Sequence, residues 1–181
     1  MKDLKLIQIL GLLFYLKGGD SMARKSRYQK LFEYMSERYP YLEIIEYTDY
    51  IERYGRIKND SYINGFSWNN VVCVNNEKLA NNTDKLYILI HEYVHFLLHY
   101  ERRCDKSYLI VNEIEAEYTS REVMKKLKLK FNPTMVEGID FLEYYNKSLE
   151  NYGSRNTIYN TVRYDLCNRY IDYIYNIIKN L

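Results

Sequence analysis

The segment LYILIHEYVHFLLHY, from Leu86 to Tyr100, constrains this chain more than any other. Just upstream, in ANNTDK, Asn82 or Thr83 can cap a helix and Asp84 falls in its first turn. Leu86, Ile88, Leu89, Ile90, Val94, Phe96, Leu97 and Leu98 surround that helix and leave almost no polar face. A helix apolar nearly all round has to be buried. Yet this one carries all three of the chain's histidines, His91, His95 and His99, together with Glu92. Polar groups in such a place are costly without partners. The fold must wrap the helix and also satisfy its imidazoles and carboxylate.

The rest of the pattern says what does the wrapping. Residues 24–38 (RKSRYQKLFEYMSER) read as a helix ending before Pro40, with Leu31, Phe32 and Met35 as its apolar stripe. Tyr41–Tyr47 reads as a strand. SYINGFSWNNVVCVN is the best sheet region, broken at Asn64-Gly65 and Asn69-Asn70, and Val71–Asn75 is expected as a strand immediately before the histidine helix. Asp105–Ser107 fits a loop, Ile110–Lys128 a second long helix, and Pro133 a break. Helices are expected at Met135–Ser148 and Thr157–Asn180, the last with Ile158, Val162, Leu166, Ile174 and Ile178 on one face. The expected class is α+β, mostly helical, with a small antiparallel sheet preceding the histidine helix.

Composition narrows the function classes. At 181 residues one domain can bury its own core. Two prolines, seven glycines and 22 tyrosines favour helices packed with amphipathic aromatics rather than an aromatic recognition surface. A net charge of +2 neither demands nor excludes nucleic acid. The basic run ARKSRYQK (Ala23–Lys30) reads as a solvated face at a helix start, so no direct nucleic-acid contact is expected. Cys73, Cys104 and Cys167 are odd in number and far apart, which fits a reducing, cytoplasmic setting and neither a disulfide framework nor a structural zinc set. The apolar run LKLIQILGLLFYLKGG lacks a small-residue cleavage site and is too short to span a membrane. The following KGGDSM can be encoded by a ribosome-binding sequence before a start codon. Residues 1–21 are therefore expected to be a non-native leader, with Met22 as the true start. Residues 22–132 would form the main domain and 133–181 a C-terminal helical extension of it.

The chemistry lies in His91, Glu92 and His95. Four residues apart on a helix, the two imidazoles share one face and can bind one Zn²⁺. Glu92 then projects beside the ion, where a carboxylate can take a proton from activated water, the H-E-x-x-H arrangement of metalloproteases. His99 is eight residues from His91, about 12 Å along a continuous helix. It reads as a helix-end, packed or outer-sphere residue rather than a ligand. The third ligand is better sought in VNEIEAEYTSREV. Glu113 and Glu117 share a face there, while Glu115 is turned roughly 200° away and reads as solvent-facing. Ala116 lets the two helices approach closely. The economical arrangement puts Glu113 on the metal and Glu117 behind it, accepting a hydrogen bond from a ligand histidine.

These two segments, HEYVHFLLH (His91–His99) and NEIEAE (Asn112–Glu117), resemble the gluzincin-type zincins. More narrowly, they are similar to the ImmA/IrrE-type zinc metallopeptidases and the peptidase domain of ArdC-like antirestriction proteins. In that family an H-E-x-x-H helix precedes a helix with an E-x-x-A pattern, which maps onto Glu113 and Ala116. The likeness spans about Tyr62–Leu129. It implies a minimal zincin-like fold and an intracellular zinc endopeptidase of a bacterium or mobile element. Its partner would be a protein substrate such as a DNA-binding regulator or a host-defence protein. Val71–Asn75 would be the edge strand that receives extended substrate. Two other readings share the same residues. The zinc protein could sequester a partner without cutting it, or the zinc could be purely structural.

Overall fold

The computed structural model describes residues 24–58, 63–68, 70–101, 109–131 and 154–181. The first helix, α1 (Arg27–Arg38), starts where Ser26 and Gln29 cap each other. The Ser26 hydroxyl accepts the Gln29 N–H, and the Gln29 side chain accepts the Ser26 N–H. Its apolar stripe buries Leu31 and Met35 completely. After Tyr39–Leu42 come strand β1 (Glu43–Glu46) and, with no loop between, helix α2 (Tyr47–Tyr54). Tyr47, expected as the end of a strand, is the first residue of that helix. Gly55 ends it at φ 84°, a left-handed conformation that glycine adopts without a Cβ clash.

Strands β2 (Gly65–Trp68) and β3 (Val71–Val74) form a hairpin in which Trp68 pairs with Val71. Asn70 takes φ 66° at the turn, which asparagine tolerates better than most side chains. The strand order is β1-β3-β2. β3 runs antiparallel to β2 and parallel to β1, so the sheet is mixed rather than wholly antiparallel. The physical reason is the connection through α2, which carries the chain to the far edge as β2, so that the hairpin returns β3 between β2 and β1, parallel to β1. The expectation that β3 is an edge strand is therefore overturned: both its edges are paired, with β1 and with β2.

Alternation along β3 splits the core. Val72 and Val74 join the main cluster with α1 and the histidine helix, whereas Cys73 packs with Ile45, Phe66 and Tyr47 on the opposite face. The histidine helix is α3 (Asn82–Tyr100). Asn81 caps it, one residue earlier than expected, because its side chain accepts the Asp84 N–H at 2.8 Å. Every residue from Leu86 to Val94 is buried. The second long helix, α4 (Leu109–Lys126), packs along it, with Ala116 fully buried.

The expected terminal helix Thr157–Asn180 is two: α5 (Arg155–Thr161) and α6 (Tyr164–Asn180). Ile158 and Val162 pack on Ile110 and Val111 of α4, and Leu166, Tyr170, Ile171, Ile174 and Ile178 of α6 join the main core. Glu115 explains the break. It is 1% exposed, not solvent-facing as expected. Its carboxylate accepts the Arg163 backbone N–H at 2.8 Å and the guanidinium at 2.8 and 2.6 Å. Arg163 spends its backbone donor on this carboxylate rather than on a helix carbonyl. The sequence reading failed because it saw α4 with one buried face, whereas α3 and α6 bury two.

The tyrosines do go into packing. Tyr39 lies edge-on to Phe96, with centroids 4.9 Å apart, and shares a 3.1 Å hydroxyl contact with buried Tyr93. Among the described residues no helix is long and apolar enough to cross a membrane. The leader 1–21, the loop Asp105–Ser107, Cys104, Pro133 and the helix expected at Met135–Ser148 lie outside the described residues.

Candidate metal centre

α3 and α4 bring three donors to one point. His91 Nε2 lies 3.0 Å from His95 Nε2 and 3.3 Å from Glu113 Oε2, and His95 Nε2 lies 3.3 Å from Glu113 Oε1. His91, His95 and Glu113 form a group able to hold a metal ion, each offering one ligand atom, all within 4.8 Å of one another. Helix geometry sets this up, since the i and i+4 imidazoles stand one above the other, with ring centroids 4.7 Å apart. Buried Ala116 permits α4 to come close enough for Glu113 to reach both.

The spacing fits a small tetrahedral ion. Donors about 2.0–2.1 Å from a tetrahedral zinc stand about 3.3 Å from each other. The observed separations of 3.0, 3.3 and 3.3 Å are close to that edge length. Two imidazole nitrogens facing each other at 3.0 Å also call for a cation between them or a proton on one. At His95 the surroundings favour the charged imidazole. Burial disfavours that charge, but the Glu113 carboxylate overrides it and lifts the imidazole to about 9. Glu113 shows the converse: burial opposes its charge, and His95 and then His91 nevertheless hold it well below the usual carboxylate range.

Glu92 is buried beside these ligands. Burial pushes its carboxyl above the ordinary value, and the neighbouring histidines pull only partly against that. What presses on it from the sheet is Gly65 of β2. A Cβ built at Gly65 would stand 2.5 Å from Ile88 Cγ2, 2.9 Å from the Cys73 carbonyl oxygen and 3.1 Å from Glu92 Cγ. Only a residue with no side chain lets β2 lie this close to the helix. Sequence reasoning took Asn64-Gly65 as a sheet interruption and missed this. A glycine inside an otherwise β-branched and aromatic stretch was the available signal.

Glu117 lies on the far side of His91. Its Oε2 is 3.7 Å from His91 Nδ1, longer than a hydrogen bond, and both atoms are buried without a hydrogen-bond partner. The other oxygen is anchored: the Tyr87 hydroxyl donates to Oε1 at 2.6 Å, and the Arg121 Nε–H donates to it as well. Burial and then the Glu117 charge raise the Tyr87 phenol well above its ordinary value, so it remains a donor. Tyr87 and Arg121 were not singled out from the sequence. They sit one turn before His91 and one turn after Glu117, a relation visible only once the two helices are paired. His99 is exposed in the last turn of α3, outside the three-ligand group.

The described cysteines take no part. Burial, then the Glu92 carboxylate, push the Cys73 thiol up to about 12, and burial lifts Cys167 to about 11. Both are inert thiols. No protein-family model matches the chain, and no curated protein or solved structure matches it either.

Proposed function

We propose that the chain is a zinc-dependent peptidase of the ImmA/IrrE type, with His91, His95 and Glu113 as metal ligands and Glu92 as general base. The observation that carries this reading is the convergence of the three donors with a buried glutamate next to them in sequence and space. Two histidines and a carboxylate also suit iron(II). Glu92 favours hydrolysis, because a buried carboxylate beside the ligands has no evident use in redox chemistry but is what a proton transfer needs. A zinc ion bound there supplies Lewis acidity, acidifying water and polarising a carbonyl. Glu92 accepts the water proton, the water oxygen bonds to the peptide carbon, the C–N bond breaks, and Glu92 returns the proton to the leaving amine. Glu117, held by Tyr87 and Arg121 with its unpartnered Oε2 3.7 Å from His91 Nδ1, would favour the Nδ1–H tautomer and so leave Nε2 to ligate.

The substrate side of this reading moves from β3 to β2. Among the described residues β2 is a sheet edge, and Gly65 sets it against Glu92. An extended segment of a regulatory or defence protein would add beside β2 through main-chain hydrogen bonds. The test is metal content by mass spectrometry together with comparative proteomics after induction. Wild type and Glu92→Gln are expected to carry one zinc each, and His95→Ala none. One cellular protein should lose mass with wild type but not with Glu92→Gln. Equal zinc in wild type and His95→Ala would sink the metal site. An unchanged biological effect of Glu92→Gln would replace cleavage by sequestration.

A further inference from the structure

We propose that a basic cleft remote from the histidines binds the phosphodiester backbone of nucleic acid. The cleft, about 770 Å³, lies where the start of α1 meets the ends of α4 and α6. Seven cationic side chains line it: Arg24, Lys25, Arg27 and Lys30 from around the α1 start, Lys126 and Lys128 from the α4 end, and Lys179 from α6. No carboxylate side chain lines it; Leu181, also on its wall, accepts from Lys30 through its main-chain oxygen. The whole chain carries only +2, so these seven leave all other residues at −5. The near-neutral total conceals a strongly polarised molecule.

Ordinary helix stabilisation accounts for part of this. Lys126 and Lys179 stand at helix C-termini, where cations are favourable, and Lys126 pairs with Asp172 at 2.5 Å. The α1 end is the opposite case. Arg27 and Lys30 occupy the first turn of α1, with Arg24 and Lys25 just before it; that turn holds no acidic residue, and of the four only Lys25 has a carboxylate side-chain partner among the described residues, Glu33 at 2.7 Å. Cations at a helix N-terminus oppose the helix dipole. Arg24, Arg27 and Lys128 make no ion pair among the described residues.

Lys128 adds an independent sign. The end of α4 closes with the Leu129 N–H on the Met124 carbonyl and the Lys128 N–H on the Lys125 carbonyl. That closure wants glycine in the left-handed position, and Lys128 holds it at φ 54°. Lys128 thus stands where glycine would be less strained, and it lines the cleft.

The lining favours nucleic acid over a protein partner. Lysine is depleted in protein interfaces, which centre on large apolar anchors, whereas nucleic-acid interfaces are strongly positive and polar. Tyr175 lies on the cleft wall with the Lys126 and Lys179 ammonium groups 5.6 and 5.8 Å from its ring centre, an aromatic ring flanked by two cations, as single-strand binding surfaces combine them. Lys126 is thirteen residues past Glu113, about 20 Å along α4, so this inference stands without the metal site.

The test is fluorescence anisotropy of the full chain with a labelled oligothymidine of about 20 nucleotides and a duplex of similar length. Micromolar binding is expected at about 50 mM salt, falling about 50-fold by about 200 mM if four contacts form to a single strand. Tighter binding of either probe identifies the preferred form of the same backbone. Lys128→Gly should bind about 5–10-fold more weakly, with a shallower salt slope, while its melting temperature rises because the strain is relieved. Arg27→Ala combined with Lys128→Gly and Lys179→Ala should lower affinity at least about 100-fold. Glu92→Gln should bind like wild type. Absence of binding at low salt, a flat salt dependence, or variants that bind as tightly as wild type would overturn the proposal. So would a polyglutamate of matched charge that binds as tightly as the oligonucleotide.

Discussion

Replacing Gly65 by alanine tests how the sheet positions the candidate base. The added Cβ meets three atoms, and they differ in how far they can yield. Glu92 Cγ at 3.1 Å can give by a few tenths of an ångström. Ile88 Cγ2 at 2.5 Å belongs to a buried side chain, and close-packed interiors leave such a side chain little room to move. The Cys73 carbonyl oxygen at 2.9 Å is backbone of the central strand, paired on both sides, and cannot move unless the sheet opens. Overpacking of this kind costs about 1–3 kcal/mol. For a chain of this size each kcal/mol lowers the melting temperature by about 2–4 °C, so a fall of about 2–12 °C is expected. The three atoms nearest the new methyl belong to none of the ligands, so zinc stoichiometry should stay at wild type. Glu92 is displaced, and a shift of about 1 Å in a catalytic group can cost about 100-fold in rate. Circular-dichroism melting, metal analysis and cleavage of the substrate identified by proteomics read the three effects separately. A variant with wild-type melting and wild-type activity would show that β2 does not press on the helix, and the account of Glu92 would fall with it.

Three further outcomes follow from the buried polar groups. Arg163→Ala strips Glu115 of its cationic partner but keeps the backbone N–H, and urea unfolding should show a loss of about 1–3 kcal/mol, whereas Arg163→Lys should recover only part of it; a loss under about 0.5 kcal/mol would refute the role given to this pair. Tyr87→Phe removes one of the two donors that hold Glu117, and competition with a zinc-binding dye should show affinity about 10-fold lower, with Glu117→Gln at least as weak; unchanged affinity in both would contradict the positioning role. In the metal-free protein the raised His95 contributes stability that is complete below about 6.5 and is lost as pH rises toward about 9. Glu113, held low, contributes above about 4.5 and loses its contribution in acid. Zinc needs both imidazoles deprotonated, so the melting-temperature gain on adding zinc should grow from pH 6.5 to 9 while the metal-free melting temperature falls. Parallel pH curves with and without zinc would rule out His95 as a ligand.

What could be read from the sequence and what could not divide along contact range. His91 and His95 are four residues apart, Glu113 and Glu117 likewise, and Ala116 sits between them. Periodicity alone places each pair on one face, and the fold adds only that the two faces meet. The all-round apolar α3 was equally legible, because burial of such a helix leaves no choice. Gly65 was not legible as a contact, because its meaning depends on the distance between a strand and a helix that starts seventeen residues later. The mixed sheet was hidden because α2 is only eight residues long and follows β1 with no loop, so nothing in Tyr41–Tyr47 marks where the strand stops and the crossover begins. The basic cleft is assembled from three segments separated by roughly a hundred and by fifty residues, and a net charge near zero masks it.

Glu115 shows most directly where one-face reasoning stops. It lies roughly 200° around α4 from Glu113, and that rotation was correctly read as pointing away from the histidines. The step from "away from the metal" to "toward water" is the one that fails. α4 is the middle layer, with Glu113 facing α3 and Glu115 facing α6, and both carboxylates are satisfied by cationic or potentially cationic partners. The consequence is mechanical. Arg163 fastens α4 from behind with three hydrogen bonds to one carboxylate, two residues along from the carboxylate that reaches the histidines. A helix held only by apolar packing could slide or rotate slightly, and small displacements of a ligand are costly because donor distances must match within about 0.2 Å. The buried pair at Glu115 thus sets the rotation of α4, and with it the reach of Glu113. On that ground Arg163→Ala should weaken zinc binding at protein concentrations and temperatures where the variant is still fully folded, although Arg163 touches none of the ligands.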